Sequence, residues 1–205
     1  MSQNSVIYSG TPIEKASKAL ILIHGRGGTA ADILSLREYF CDDRYFIAAP
    51  EAADNSWYPM SFNADEHLNE PKLTASIQYI IKIIDETEKH IPKSEIYLMG
   101  FSQGAILSLE ISSRNATKYG GVIAFSGGLL GKTLDEKKYH GNFENTKVFI
   151  GVSDQDPFIP LSRSIESKDL IEKLGADVTL KVYPGTSHTI NQDEINWVNN
   201  HIMLR

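Results

Sequence analysis

Short apolar runs alternate along the chain with longer stretches of helical period. The runs at residues 19–23, 45–48, 96–99, 122–125, 148–152 and 178–183 are rich in aliphatic and aromatic residues and too short for buried helices, so they predict strands. Between them, Leu73, Ile77, Ile80, Ile81 and Ile84 recur at helical spacing and predict a helix over 73–88 with one apolar stripe against a sheet. Further helices are predicted directly after Ser102, with Ala105, Ile106 and Leu109 inward, over 161–174, and over 195–202. Strands and helices alternating in this way predict an α/β fold, a mainly parallel sheet with helices on both faces. The stretch 54–70 has no sustained period but carries Trp57, Tyr58, Pro59, Met60 and Phe62, so it reads as a long loop bearing aromatic groups, the kind of segment that often carries function.

Composition narrows the class. A chain of 205 residues, 41% hydrophobic and 22% charged, predicts one well-cored domain over 1–205. A net charge of −6 without any cluster of Lys and Arg argues against nucleic acid and against an anionic membrane surface. The N-terminus Met1-Ser2-Gln3-Asn4-Ser5 lacks the basic and apolar regions of a signal peptide, and no apolar run is long enough for stable membrane insertion, so the chain reads as cytoplasmic. Cys41, the single cysteine, reads as a small buried hydrophobe, and no Cys/His cluster has metal-ligand spacing. Nothing here opposes a homodimer.

Chemistry is concentrated in a few loops. Gly100-Phe101-Ser102-Gln103-Gly104 lies between a predicted strand and a predicted helix, where it can form a nucleophile elbow. By composition the pentapeptide arises by chance in roughly one chain in fifteen of this length, so its placement carries the argument. Such a turn holds the serine in a strained backbone, and glycine is needed at 100 and 104 where the chain approaches itself. A serine hydroxyl needs a histidine base and a group that orients the histidine. In chain order these should follow later strands, and the loops after 148–152 and 178–183 supply Asp156 and His188. Asn191 and Glu194, just beyond His188, form a cap for the last helix. His67 and His90 precede the serine, His140 sits in a polar stretch and His201 in the terminal helix, so none suits the base.

Acyl transfer also needs two N–H donors for the oxygen that becomes charged. One comes from Gln103, the residue after the serine. The other comes from the Gly-rich turn His24-Gly25-Arg26-Gly27-Gly28, with Arg26 in the donor position and His24 holding the loop by hydrogen bonds. The turn is no phosphate loop, because no Gly-Lys-Ser/Thr follows it.

These motifs, in this order, resemble the phospholipase/carboxylesterase family of small α/β-hydrolases, which includes the acyl-protein thioesterases. The match rests on His24 to Gly28, Trp57-Tyr58-Pro59 with Ser61-Phe62, Gly100 to Ala105, Asp156-Pro157-Phe158-Ile159-Pro160, and Tyr183-Pro184-Gly185 through His188. The resemblance implies a single-domain α/β-hydrolase fold, a Ser102, Asp156, His188 triad, oxyanion amides at Arg26 and Gln103, and no metal or organic cofactor. Two departures stand out. Ser153-Asp154 replaces a His-Gly common in the family, which sets a second carboxylate near Asp156, and Ser187 replaces the glycine before the histidine. Asp156 is preferred as the acid because Pro157 and Pro160 stiffen the backbone after it, while Asp154 is expected to cap its own turn or stay solvated.

The predicted activity is hydrolysis of small acyl esters through an acyl-enzyme on Ser102. Thioester hydrolysis, including deacylation of lipidated proteins, is the alternative, and a non-catalytic binding protein on the same fold is a more distant one. Trp57, Tyr58, Phe62, Leu129 and Phe158, with Met60, Leu130 and Ile159, are the candidate walls for an acyl chain.

Overall fold

The computed structural model describes residues 5–185 and 187–204. All six predicted strands form, as β2 (Lys18–Ile23), β3 (Tyr45–Pro50), β4 (Ile96–Phe101), β5 (Gly121–Phe125), β6 (Lys147–Ser153) and β7 (Asp177–Tyr183). A seventh, β1 (Val6–Gly10), joins at one edge, antiparallel to β3, in the order β1-β3-β2-β4-β5-β6-β7, whose other neighbours pair in parallel. Strands apolar at every position suit a sheet covered on both faces, and the pleat divides them between two cores. In β2, Ala19, Ile21 and Ile23 join one core while Leu20 and Leu22 join the other.

The first core is roofed by α3 (Lys72–Glu88), α4 (Gln103–Arg114) and α5 (Leu161–Lys173). The second is covered by α1 (Ala30–Leu34), α2 (Arg37–Phe40) and α6 (Gln192–Val198), which continues as a π-helical turn over Asn199–Met203. Cys41 is half-buried and packs against this second core. On α3 the buried stripe is Leu73, Ser76, Ile77, Ile80, Ile83, Ile84 and Thr87. Ile81, expected inward, is instead 37% exposed. At about 100° per residue it lies beyond the edge of a stripe centred on Ile80 and Ile84. The cap expected for the last helix forms, with Asn191 accepting from the Glu194 N–H and the Glu194 carboxylate accepting from the Asn191 N–H. Among the described residues no helix is long and apolar enough to cross a membrane.

Because β2, β4, β6 and β7 run parallel, the loops after them all emerge at the C-terminal edge of the sheet, where open α/β sheets bind ligands. Those loops carry the histidine, the serine and the carboxylates singled out above.

Candidate active site

Ser102 stands between the end of β4 and the start of α4, with φ 56° and ψ −118°. A β-carbon in that region costs on the order of 1 to 3 kcal/mol, and the surroundings must impose it. They do so by close approach. A Cβ at Gly100 would run into the Gly104 backbone, and one at Gly104 into the carbonyl of Ile23. The Ser102 N–H is held by the Phe125 carbonyl at 3.0 Å, and the Ser102 carbonyl accepts from Ile106 at 3.0 Å as α4 begins.

His188 and Asp156 come together from the loops after β7 and β6. His188 Nδ1 lies 2.7 Å from Asp156 Oδ2. The other oxygen, Oδ1, accepts from the N–H groups of Phe158 at 2.8 Å and Ile159 at 3.0 Å, so the stiff segment anticipated after Asp156 anchors it through backbone donors. Burial acts to raise the Asp156 carboxyl, but His188 and the Ile159 and Phe158 donors outweigh it and hold the group below the ordinary carboxylate value. The rings of Phe101 and Phe158 flank the imidazole at 4.8 and 5.0 Å between centroids. Asp154 stays solvent-exposed, as expected, and its side chain accepts from the Gly185 N–H at 2.8 Å, tying the two loops together, rather than capping its own turn.

The first loop closes over the elbow so tightly that a Cβ on Gly25 would sit 3.3 Å from the Ser102 Cβ. Both Arg26 and Gln103 line the cleft, and among the described residues neither backbone N–H has an acceptor. His24 does hold this loop, through Nδ1 to the Gly25 carbonyl at 2.7 Å and Nε2 to the Ala52 N–H at 3.1 Å. Side chains add ties that sequence alone does not reveal. The Gln103 amide accepts from Trp57 N–H at 3.0 Å and donates to the Tyr58 carbonyl at 2.9 Å. The Arg26 guanidinium donates to the carbonyls of Pro59 and Met60 at 2.8 and 2.6 Å.

Together these elements enclose a cleft of about 610 Å³ that contains Ser102, His188, Arg26 and Gln103 and is walled by Tyr58, Met60, Phe62, Ile106, Phe158 and Ile159. Of the expected walls, Trp57, Leu129 and Leu130 lie elsewhere. Trp57 is 1% exposed, its indole N–H donating to the His24 carbonyl at 2.8 Å and its ring packed 4.9 Å from the His24 imidazole. Leu129 is fully buried, its N–H donating to Ser167 Oγ at 2.7 Å and its carbonyl accepting from Arg163. Both are core residues, buried and outside the cleft lining. Ile106, expected only as core, lies one helical turn beyond Ser102, and that spacing was a signal for the cleft floor. Among the described residues no group of three or more His, Cys, Asp or Glu side chains is placed to hold a metal ion.

A serine at a strained elbow, a histidine hydrogen-bonded to a carboxylate and two unclaimed N–H groups in one cleft are the parts that acyl transfer requires. A family model described as phospholipase/carboxylesterase matches residues 3–205. The chain is 29% identical over 204 residues to acyl-protein thioesterase 1 of Kluyveromyces lactis, covering 89% of each chain. It is 27% identical to acyl-protein thioesterase 1 of Saccharomyces cerevisiae, over 89% of this chain and 90% of the other. A crystal structure of a phospholipase/carboxylesterase from Dyadobacter fermentans superposes with a TM-score of 0.96 at 47% identity, covering 99% of this chain and 97% of that one.

Proposed function

Because the chain belongs to the phospholipase/carboxylesterase family, we propose that it hydrolyses carboxylic esters through an acyl-enzyme on Ser102. The observation that carries this reading is the strained Ser102 elbow opening into the cleft that His188 also lines, with Asp156 2.7 Å behind the imidazole. Asp156 accepts the Nδ1 proton and so leaves Nε2 of His188 as the base. Ser102 Oγ attacks the ester carbonyl as Nε2 takes its proton, and the N–H groups of Arg26 and Gln103 receive the charge that builds on oxygen. The imidazolium, stabilised by the Asp156 carboxylate, returns the proton to the departing alcohol. Water then enters and attacks the acyl carbonyl as it gives its proton to His188, which returns the proton to Ser102 Oγ as the acyl–oxygen bond breaks and the acid departs.

A thioester serves the same parts with a thiol as leaving group, and relatives named acyl-protein thioesterase 1 favour keeping this as the second reading. Apolar walls at Met60, Phe62, Ile106 and Phe158 suit an acyl chain in either case. Small-molecule esters remain the first substrates to try. The test is Ser102→Ala assayed on short p-nitrophenyl esters: kcat should fall by at least about a thousandfold with the fold intact. A variant that keeps a tenth of the activity overturns the assignment.

A further inference from the structure

The cleft wall at residues 58–62 belongs to no strand or helix, so other groups must satisfy its backbone. Three side chains contribute. Gln103 donates to the Tyr58 carbonyl at 2.9 Å, and Arg26 to the carbonyls of Pro59 and Met60 at 2.8 and 2.6 Å. The third is Asn69, fully buried at the end of the 3₁₀ turn Glu66–Asn69. Its Oδ1 accepts from the Met60 N–H at 2.8 Å and its Nδ2 donates to the Ser61 carbonyl at 3.1 Å. An N–H only donates and a carbonyl only accepts, so these partners allow the amide a single orientation. The turn itself is anchored, since the Glu66 carboxylate meets the Arg114 guanidinium of α4 at 3.3 Å and the Lys138 ammonium.

Arg26 and Gln103 also supply the oxyanion N–H groups of the proposed mechanism, so altering either bears on acyl transfer as well as on the wall. Asn69 differs. Among the described residues its amide bonds to the wall alone, and it does not line the cleft. The Met60 side chain is 48% exposed in the cleft lining, yet its backbone is held on both sides, by Asn69 at the N–H and by Arg26 at the carbonyl. An apolar side chain on so fixed a backbone meets an acyl chain already ordered, which spares binding the entropy of arranging the wall. We propose that Asn69 sets the acyl-chain preference of the cleft, as a positioning residue that holds Met60 and its neighbours Ser61 and Phe62 in the wall. The inference rests on the serine hydrolase reading above, and it applies to ester and thioester alike because both present the same acyl chain.

The test compares Asn69→Ala with the parent, both as the full chain, on acetyl and octanoyl p-nitrophenyl esters, with active sites counted by a fluorophosphonate. Freeing the wall should raise KM about tenfold for the octanoyl ester and less than about twofold for the acetyl ester, with kcat per labelled site within about threefold on both. A merely structural role would instead lower the number of labelled sites and leave the ratio of the two KM values as it was. Should Asn69→Ala not fold, Asn69→Ser, whose shorter side chain cannot reach both partners, carries the same expectations. A KM ratio within about twofold of the parent's, or an equal loss on both esters, overturns the inference. So does a parent that turns over the acetyl ester and not the octanoyl one. A parent that neither labels nor hydrolyses either ester instead overturns the reading on which this inference rests.

Discussion

Replacing Asp156 with asparagine changes one atom at the centre of the proposed triad, and the surrounding donors dictate how the amide must sit. Oδ1 receives the N–H groups of Phe158 and Ile159, at 2.8 and 3.0 Å, and Oδ2 faces His188 Nδ1 at 2.7 Å. An asparagine keeps its oxygen toward the two backbone donors, because the reverse flip would set its NH2 against both. The NH2 then points at Nδ1, which must give up its proton and accept, and the proton moves to Nε2 where the serine needs a base. With the wrong tautomer, kcat should fall by about 10³ to 10⁴, equivalent to about 4 to 5.5 kcal/mol of transition-state stabilisation. Asp154→Asn is the control. Its exposed side chain accepts from the Gly185 N–H at 2.8 Å, an asparagine oxygen can do the same, and the loss should stay under about tenfold. The assay is kcat on a short ester per titrated active site, with circular dichroism to confirm folding. A larger loss at Asp154, or a loss under about tenfold at Asp156, removes Asp156 as the group that orients His188.

Other consequences can be measured separately. Burial pushes the Glu194 carboxyl up to about 7 from 4.5, so the folded chain binds this proton more tightly than the unfolded one. Its contribution is fully present below pH 4.5 and is lost as pH rises through about 7. Glu194→Gln should therefore gain stability over the parent from pH 5 to pH 8, by up to about 3 kcal/mol in urea melts, and a gain independent of pH contradicts this. Gly104→Ala drives a Cβ into the Ile23 carbonyl, and thermal denaturation should register a loss of about 3 kcal/mol or more; an unchanged melting point means the elbow is looser than described. Met60→Ala, at the half-exposed rim of the cleft, should raise KM for an octanoyl ester about fivefold and barely alter it for an acetyl ester, whereas equal effects remove Met60 from the acyl path.

Much of this was legible in the sequence because strands buried on both faces leave uninterrupted apolar runs. β1 was not, since an edge strand with the burial of Val6–Gly10 needs no such run. The short α1 and α2 carry too few residues for a period to register, although Thr29 and Asp32 form a capping box that marks the start of α1. The serine, histidine and aspartate stood out because each follows a strand in the order the fold allows. Aromatic and aliphatic loop residues gave no such order, so Trp57 and Leu129 looked the same as Tyr58 and Phe62 until packing separated core from cleft.

In the proposed mechanism Ser102 carries the acyl group during turnover. Mixing the enzyme with excess p-nitrophenyl ester, quenching in acid within the first turnovers and mapping the protein by mass spectrometry reads this out directly. A burst of nitrophenol is expected together with a stable acyl adduct on the peptide containing Ser102, absent from Ser102→Ala. Full turnover with no adduct, or an adduct on another residue that survives in Ser102→Ala, contradicts it.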